Sequence, residues 1–143
     1  MGNLVGHFEI HATEPQVLVD FYSTLLGWTF TRFGDLEYWA VDTGEDAITP
    51  GRAGAGINGG LTRRRGPRPE PGAPVKGANL VVGVDGSVDA LFRRALELGA
   101  TVALPLDDMP GVGRLGYLHD PDGNLVGLLS VVLSDGTNVL DAM

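Results

Sequence analysis

The chain has 143 residues, 43% of them hydrophobic and 20% charged, the balance of one modest globular domain or of two half-domains sharing a core. Ten basic against 18 acidic residues give a net charge of −8, which repels phosphate backbones and argues against nucleic-acid binding. Cysteine is absent, so disulfides, thiolate metal ligands and thiol nucleophiles are excluded.

The segment Leu4 to Ala12 alternates, with Val5, His7, Glu9 and His11 on one face and Phe8 and Ile10 on the other; this predicts a half-buried strand. Thr13 and Gln16 have capping-box spacing, Pro15 suits a first turn, and Val17, Leu18, Phe21, Tyr22, Leu25 and Leu26 recur at helical spacing up to Gly27, which together predict a helix. Trp28 to Phe33 and Tyr38 to Thr43 read as strands around a turn at Gly34 and Asp35. A loop from Gly44 to Gly54 leads into a glycine-rich strand, Gly56 to Thr62. The stretch Arg63 to Gly77, RRRGPRPEPGAPVKG, is polar and without periodicity and is expected to be a linker. Its four arginines either grip an anion or are simply solvated.

After the linker the order recurs. Asn79 to Asp85 reads as a strand, Ser87 as the cap of a helix ending at Gly99, and Thr101 to Leu106, Gly113 to His119 and Leu125 to Leu133 as strands. The turn Asp120-Pro121-Asp122-Gly123-Asn124 joins the last two, and a polar tail begins at Ser134. Gly27 and Gly99 differ by 72, as do His7 and Asn79. The chain therefore reads as an internal repeat: a first βαβββ module over 1–62, a linker over 63–77, a second βαβββ module over 78–133 and a tail over 134–143. The fold class is α+β, with the two modules expected to form one cupped mixed sheet. Either module alone is small for an independent core. No apolar run reaches the about 18 residues of a membrane span, and MGNLVGHFEIHATEP lacks the features of a signal peptide, so the expectation is a cytoplasmic protein with no membrane partner.

Paired modules with HFEIHATEPQVLVDFYSTLLGW early and DPDGNLVGLL late resemble the vicinal oxygen chelate superfamily, which includes glyoxalase and bleomycin-resistance proteins. The likeness covers residues 4 to 133. The elements HFEI, YW, INGGL and DPDGN-x-x-G bring it nearest to a subgroup related to lactoylglutathione lyase. The resemblance implies a cupped sheet with a ligand cavity, and a homodimer. It also implies metal positions on the first and fourth strands of each module, which fall here on His7, Gly60, Asn79 and Gly127. Only His7 is a strong ligand, whereas a catalytic zinc generally keeps three protein ligands; no metal and no cofactor is therefore expected. A substitute set of His7, Glu9 and His119 is the alternative, against a plain His7–Glu9 hydrogen bond.

Strand alternation then selects the candidate site. Glu9 is read as general base or acid, tuned by His7, because a carboxylate on an inner sheet face must be paired or used. Asn58 shares a face with position 60, and His119 shares one with Tyr117. Tyr117 matches a position where ring-cleaving relatives keep a tyrosine, and aligning Asp42 with Asp120 maps it onto Trp39. Trp39, Asn58, Asn79, Tyr117 and His119 are thus expected to bind substrate. Trp39 is otherwise a core aromatic, and Asn58 and Asn79 otherwise satisfy backbone groups. Gly60 and Gly127 are expected to enlarge the cavity floor. The expected function is metal-independent isomerisation, epimerisation or lyase chemistry on a small molecule. The alternatives are sequestration without turnover, as in bleomycin-resistance proteins, and a metal-dependent lyase or dioxygenase.

Overall fold

The computed structural model describes residues 5–48, 55–75 and 77–142. The chain divides into two compact units, Met1–Arg68 and Pro69–Met143, so the division falls inside the expected linker. The first unit contains β1 (Phe8–Ala12), α1 (Pro15–Leu26), β2 (Thr29–Arg32), β3 (Tyr38–Asp42), β4 (Ala47–Ile48), β5 (Gly56–Ile57) and β6 (Gly59–Arg63). The second contains β7 (Leu80–Gly83), α2 (Val88–Glu97), β8 (Thr101–Met109), β9 (Gly113–His119), β10 (Leu125–Ser130) and a 3₁₀ turn, Val139–Ala142.

Both units are βαβββ modules with the same wiring. The first makes a four-stranded sheet in the order β1-β6-β3-β2, the second one in the order β7-β10-β9-β8. In each, the first strand runs parallel to the last and the other pairings are antiparallel. The hydrogen-bond ladders close within each module.

One face of each sheet carries its helix. In the first unit Ile10, Ala12, Trp39, Val41 and Leu61 are buried with Leu18, Phe21, Tyr22 and Leu25 of α1. Trp28 stacks on Tyr22 at 5.4 Å and meets Phe8 at 5.7 Å. Phe8 lies over Gly59, where any Cβ would overlap its ring. In the second unit Phe92 of α2 packs over Gly116, and Leu118, Val126 and Leu128 fill the same side. Burying such apolar side chains supplies about 1.5–3 kcal/mol each.

Helix ends follow local chemistry only in part. Gly27 closes α1 in the left-handed conformation at φ 73°, the geometry glycine adopts without a Cβ clash. Ser87 caps α2, accepting from the Ala90 N–H at 3.1 Å. Thr13 is not the cap residue of α1. Glu14 occupies the cap position without a side-chain hydrogen bond, and Gln16 donates to Asp20 at 2.8 Å instead. The glycine-rich strand is interrupted at Asn58, which separates β5 from β6. The final polar segment is held: Ser134 hydrogen-bonds Asp108, and the Val139 N–H donates to the Val131 carbonyl. Residues 49–54, within the expected Gly44–Gly54 loop, lie outside the described residues.

Candidate functional site

The face of the first sheet opposite α1 is built in cross-strand rows. His11 of β1, Thr62 of β6 and Tyr38 of β3 stand side by side, and Glu9, Gly60 and Ala40 form the next row. Side chains two apart on a strand share a face, so His7, Glu9 and His11 line one edge of this surface.

Two of its floor positions are small, Gly60 and Ala40. Tyr38 leans diagonally into that space, and a Cβ on Gly60 would overlap its hydroxyl and ring. The expected widening of the floor at Gly60 is therefore filled by a ring, an arrangement familiar where an aromatic covers a strand glycine. The tyrosine hydroxyl meets His7 Nε2 at 3.1 Å and hydrogen-bonds the Glu9 carboxylate. His7 Nε2 lies 3.7 Å from Glu9 Oε2. Tyr38 has one proton to donate. With that proton directed at Glu9, the hydroxyl accepts from His7, which places the imidazole proton on Nε2. Partial burial, followed by the charge of Glu9 and its hydrogen bond, pushes the Tyr38 pKa above the ordinary phenol value, so the group is a neutral donor at physiological pH. His7 and Glu9 side chains are 52% and 46% exposed. The burial expected of Glu9 on an inner sheet face is not present within this unit.

The surface opens into a cleft of about 610 Å³ lined by Glu9, His11, Tyr38, Thr62, Arg63, Arg64, Arg65 and Pro67. Three of the four arginines expected in a linker thus belong to its wall. Arg63 is the last residue of β6, and it donates to Glu37 at 3.1 Å and to the Thr13 carbonyl at 2.9 Å. Arg64 extends the parallel pairing: its N–H donates to the Ala12 carbonyl at 2.7 Å and its guanidinium to the His11 carbonyl at 2.9 Å.

The other expected residues fall elsewhere. Trp39 is 8% exposed on the helix-covered side, opposite Leu61 and with the Arg32 guanidinium 5.0 Å from its ring centroid. It is on the opposite face from Glu9. The alignment of Asp42 with Asp120 is one residue out of structural register: Ala40 faces Gly60 as Tyr117 faces Gly127, so Tyr117 corresponds to Ala40. A one-residue slip exchanges the two faces of a strand. Asn58 accepts from the Thr43 N–H and hydroxyl at 2.8 and 3.1 Å, clasping the turn after β3. Asn79 precedes β7 and donates to the Leu80 carbonyl at 3.2 Å. In the second unit Tyr117 and His119 lie on the face away from α2, and Tyr117 covers Gly127, where a Cβ would come within 2.9 Å of its ring. In the sequence the four arginines read as either gripping an anion or solvated, and His11 as a member of the polar face of the first strand; Tyr38 and Thr62 go unread as site residues. The signal for Tyr38 was the alternation of β3, which sets Tyr38 opposite in face to the apolar Trp39 and Val41.

The donors present do not fit the metal set of the resemblance. Each unit's last-strand position is a glycine roofed by a tyrosine ring. The first-strand residues beside these glycines are Glu9 and Val81, and His7 and Asn79 precede their strands. Within either unit, among the described residues, no three His, Asp or Glu side chains group to hold a metal ion.

Comparison with known proteins agrees with this architecture. The profile of the glyoxalase-like domain matches residues 7–129, and the chain belongs to that family. The proteins named "Putative glyoxylase CFP32" from Mycobacterium tuberculosis and Mycobacterium bovis are 30% identical over 128 residues, covering 84% of this chain and 42% of theirs. The chain thus spans less than half the length of these curated relatives. Among solved structures, the fosfomycin resistance protein FosX of Listeria monocytogenes aligns with TM-score 0.65 at 15% identity, covering 96% of this chain and all of that one. TioX from Micromonospora sp. ML1 aligns with TM-score 0.59 at 22% identity, over 90% and 98% of the two chains. A glyoxalase/bleomycin resistance/dioxygenase family enzyme of Burkholderia phytofirmans aligns with TM-score 0.65 at 16% identity, over 89% and 98%. These structures share the fold of paired βαβββ modules.

Proposed function

We propose that the first module binds a small organic molecule on its open sheet face and catalyses proton transfer at a carbon next to a carbonyl, chemistry of the isomerase, epimerase or lyase type. The observation that supports this reading is the convergence of a carboxylate, a neutral phenol and an imidazole: Glu9 and Tyr38 line one cleft, and His7 Nε2 stands 3.1 Å from the Tyr38 hydroxyl. Glu9 accepts the proton as the C–H bond breaks, and the electron pair moves to the carbonyl oxygen. Tyr38 turns its O–H from Glu9 to that oxygen and stabilises the developing charge. His7 holds the tyrosine oxygen through Nε2–H. Return of the proton to a different face or carbon completes an epimerisation or isomerisation. No step is routed through a metal, since the donor set does not fit one. Assignment to the subgroup related to lactoylglutathione lyase is part of this proposal.

The test is solvent deuterium exchange. Pools of small aldehydes, ketones and 2-oxo or 2-hydroxy acids are incubated with the protein in D₂O and followed by proton NMR. Loss of an α-proton signal is expected, with Glu9→Gln slowing it by about 10²–10⁴-fold. A second reading, sequestration without turnover, is favoured by the half-exposed state of Glu9 and His7, because a solvated carboxylate is a weak base at neutral pH. Ligand binding without exchange in any pool supports that reading and ends the catalytic one.

A further inference from the structure

We propose that Phe33 selects the substrate: the small molecule carries an uncharged aromatic ring, held against Phe33 and Tyr38 over Ala40 and Thr31. This rests on the reading that the open face of the first sheet binds a small carbonyl compound, and it adds the chemical class of that compound.

The first ground is placement. Thr31 pairs with Ala40 and Arg32 with Trp39, and the Phe33 N–H continues the ladder to the Tyr38 carbonyl at 3.0 Å. Phe33 therefore stands beside Tyr38 on the face away from α1. The two rings lie 5.5 Å apart, inclined by 44°, and form a corner. The next pair on the same face, Ala40 and Thr31, is small and leaves room beside them. Phe33 is 52% exposed, since the helix that buries the core lies on the other side of the sheet. A single exposed apolar side chain needs no explanation. Here two rings adjoin, and one of them carries the hydroxyl that meets His7 and Glu9.

The second ground is preorganisation. Arg32, on the opposite face, wraps the turn that follows Phe33. Its guanidinium donates to the Leu36 carbonyl at 2.9 Å and the Asp35 carbonyl at 3.4 Å, lies 3.7 Å from Glu37 and sits over the Trp39 ring at 5.0 Å. The hairpin tip is thus fixed from beneath. An aromatic side chain has only two torsions to restrict, so little freedom is lost when a ring docks on it.

The third ground is length. Glu9, Gly60, Ala40 and Thr31 form one cross-strand row. Three strand spacings make it about 14 Å long. Contact distances of about 3.5 Å at each end leave about 7 Å for the molecule, the length of a phenyl ring with a short keto side chain. Its carbonyl then meets Tyr38 and Glu9 while its ring reaches the corner.

The experiment titrates phenylacetone, cyclohexylacetone and butanone into the full chain with ¹³C-labelled aromatic side chains. Saturable shifts of the Phe33 and Tyr38 ring signals are expected, with affinity falling in that order of ketones. Phe33→Leu keeps an apolar side chain but removes the ring. It should weaken phenylacetone by about five- to tenfold and leave butanone unchanged, and Phe33→Tyr should restore the affinity. Leu140→Ala, at an exposed apolar residue of the second unit, should change nothing. Absence of shifts at Phe33, equal affinity for the phenyl and cyclohexyl ketones, or equal weakening of all three ketones by Phe33→Leu overturns the aromatic site. Loss of self-association in Phe33→Leu with phenylacetone affinity intact also overturns it and assigns Phe33 to a contact between chains. The two proposals fail separately. Glu9→Gln abolishes deuterium exchange but should retain phenylacetone binding, whereas exchange of butanone without shifts at Phe33 leaves the proton-transfer reading standing alone.

Discussion

Tyr38 shows how a residue's role is set by what its neighbours lack. Gly60 and Ala40 leave a shallow place on the sheet, and the ring that fills it carries its hydroxyl to Glu9 and His7. Adding one methyl group at Gly60 forces that ring outward. Gly60→Ala is therefore expected to cost about 1–3 kcal/mol, as overpacking does, in chemical denaturation. The same change made in a Tyr38→Ala background should cost less, and a full double-mutant cycle measures the difference. The Tyr38 ionisation is a second readout, isolated by subtracting the ultraviolet titration of Tyr38→Phe from that of the wild type. Burial is the largest cause of its raised pKa and the Glu9 charge comes next. Glu9→Gln should accordingly lower the midpoint only part of the way to the ordinary phenol value; an unchanged midpoint would mean that the two groups do not interact. His7 and Glu9 could be read from alternation along β1, because a polar residue at every second position needs no partner strand to declare its face. Tyr38 could not, because its tilt depends on a glycine some twenty positions later in the chain.

At the scale of elements, Arg114 of β9 joins three pieces of the second unit. Its guanidinium binds Asp89 of α2 at 2.8 and 2.9 Å and Asp108 of β8 at 3.2 Å, and Asp108 in turn receives Ser134 of the terminal segment. The hydrogen bond from Arg114 holds the Asp89 pKa below the usual carboxylate value, and that from Ser134 does the same for Asp108. Carboxylates with depressed folded-state pKa values contribute stability above the unfolded pKa and lose it as pH falls through the folded one. The second unit should therefore loosen in acid, beginning below about pH 4. Asp108→Asn should lower the melting temperature at pH 7 and converge with the wild type as pH falls through the depressed folded-state pKa of Asp108. Parallel pH profiles would remove Asp108 from this role. None of this network was legible in the sequence, since its members are separated by up to 45 positions and only strand pairing brings them together. Helix ends were more legible. Gly27 and Ser87 act through their own backbone and the next turn, and Ser87→Ala should cost about 1 kcal/mol as other cap deletions do. Thr13 is not the cap residue, because the helix begins at Pro15 and the cap position falls on Glu14.

For the whole molecule, the repeat carried most of the information. An offset of 72 between equivalent residues was enough to fix two βαβββ modules, because a helix end and a strand start had to coincide twice. It could not fix register in the third and fourth strands, where loop lengths differ, and that is where Trp39 was assigned to the wrong face. The repeat also bears on assembly. In the second sheet β8 is an edge strand, paired with β9 alone among the described residues. It exposes Val102 and Leu104, each at 45%. Unpaired ladders invite association, but here Pro105 and two register irregularities break the edge, so extension of the sheet by a second β8 is disfavoured. Association through the side chains remains open to it, since contiguous apolar side chains gain about 25 cal/mol for each Å² removed from water. We therefore expect a homodimer in which Val102 and Leu104 are covered. Light scattering at micromolar concentration should report twice the 15.0 kDa chain mass. Replacing Val102 and Leu104 together by glutamate should halve that mass while leaving the far-ultraviolet dichroism unchanged, because neither side chain is part of the buried core. A wild-type mass of one chain at every concentration would exclude the dimer, and a dimer that survives both substitutions would move its interface away from β8.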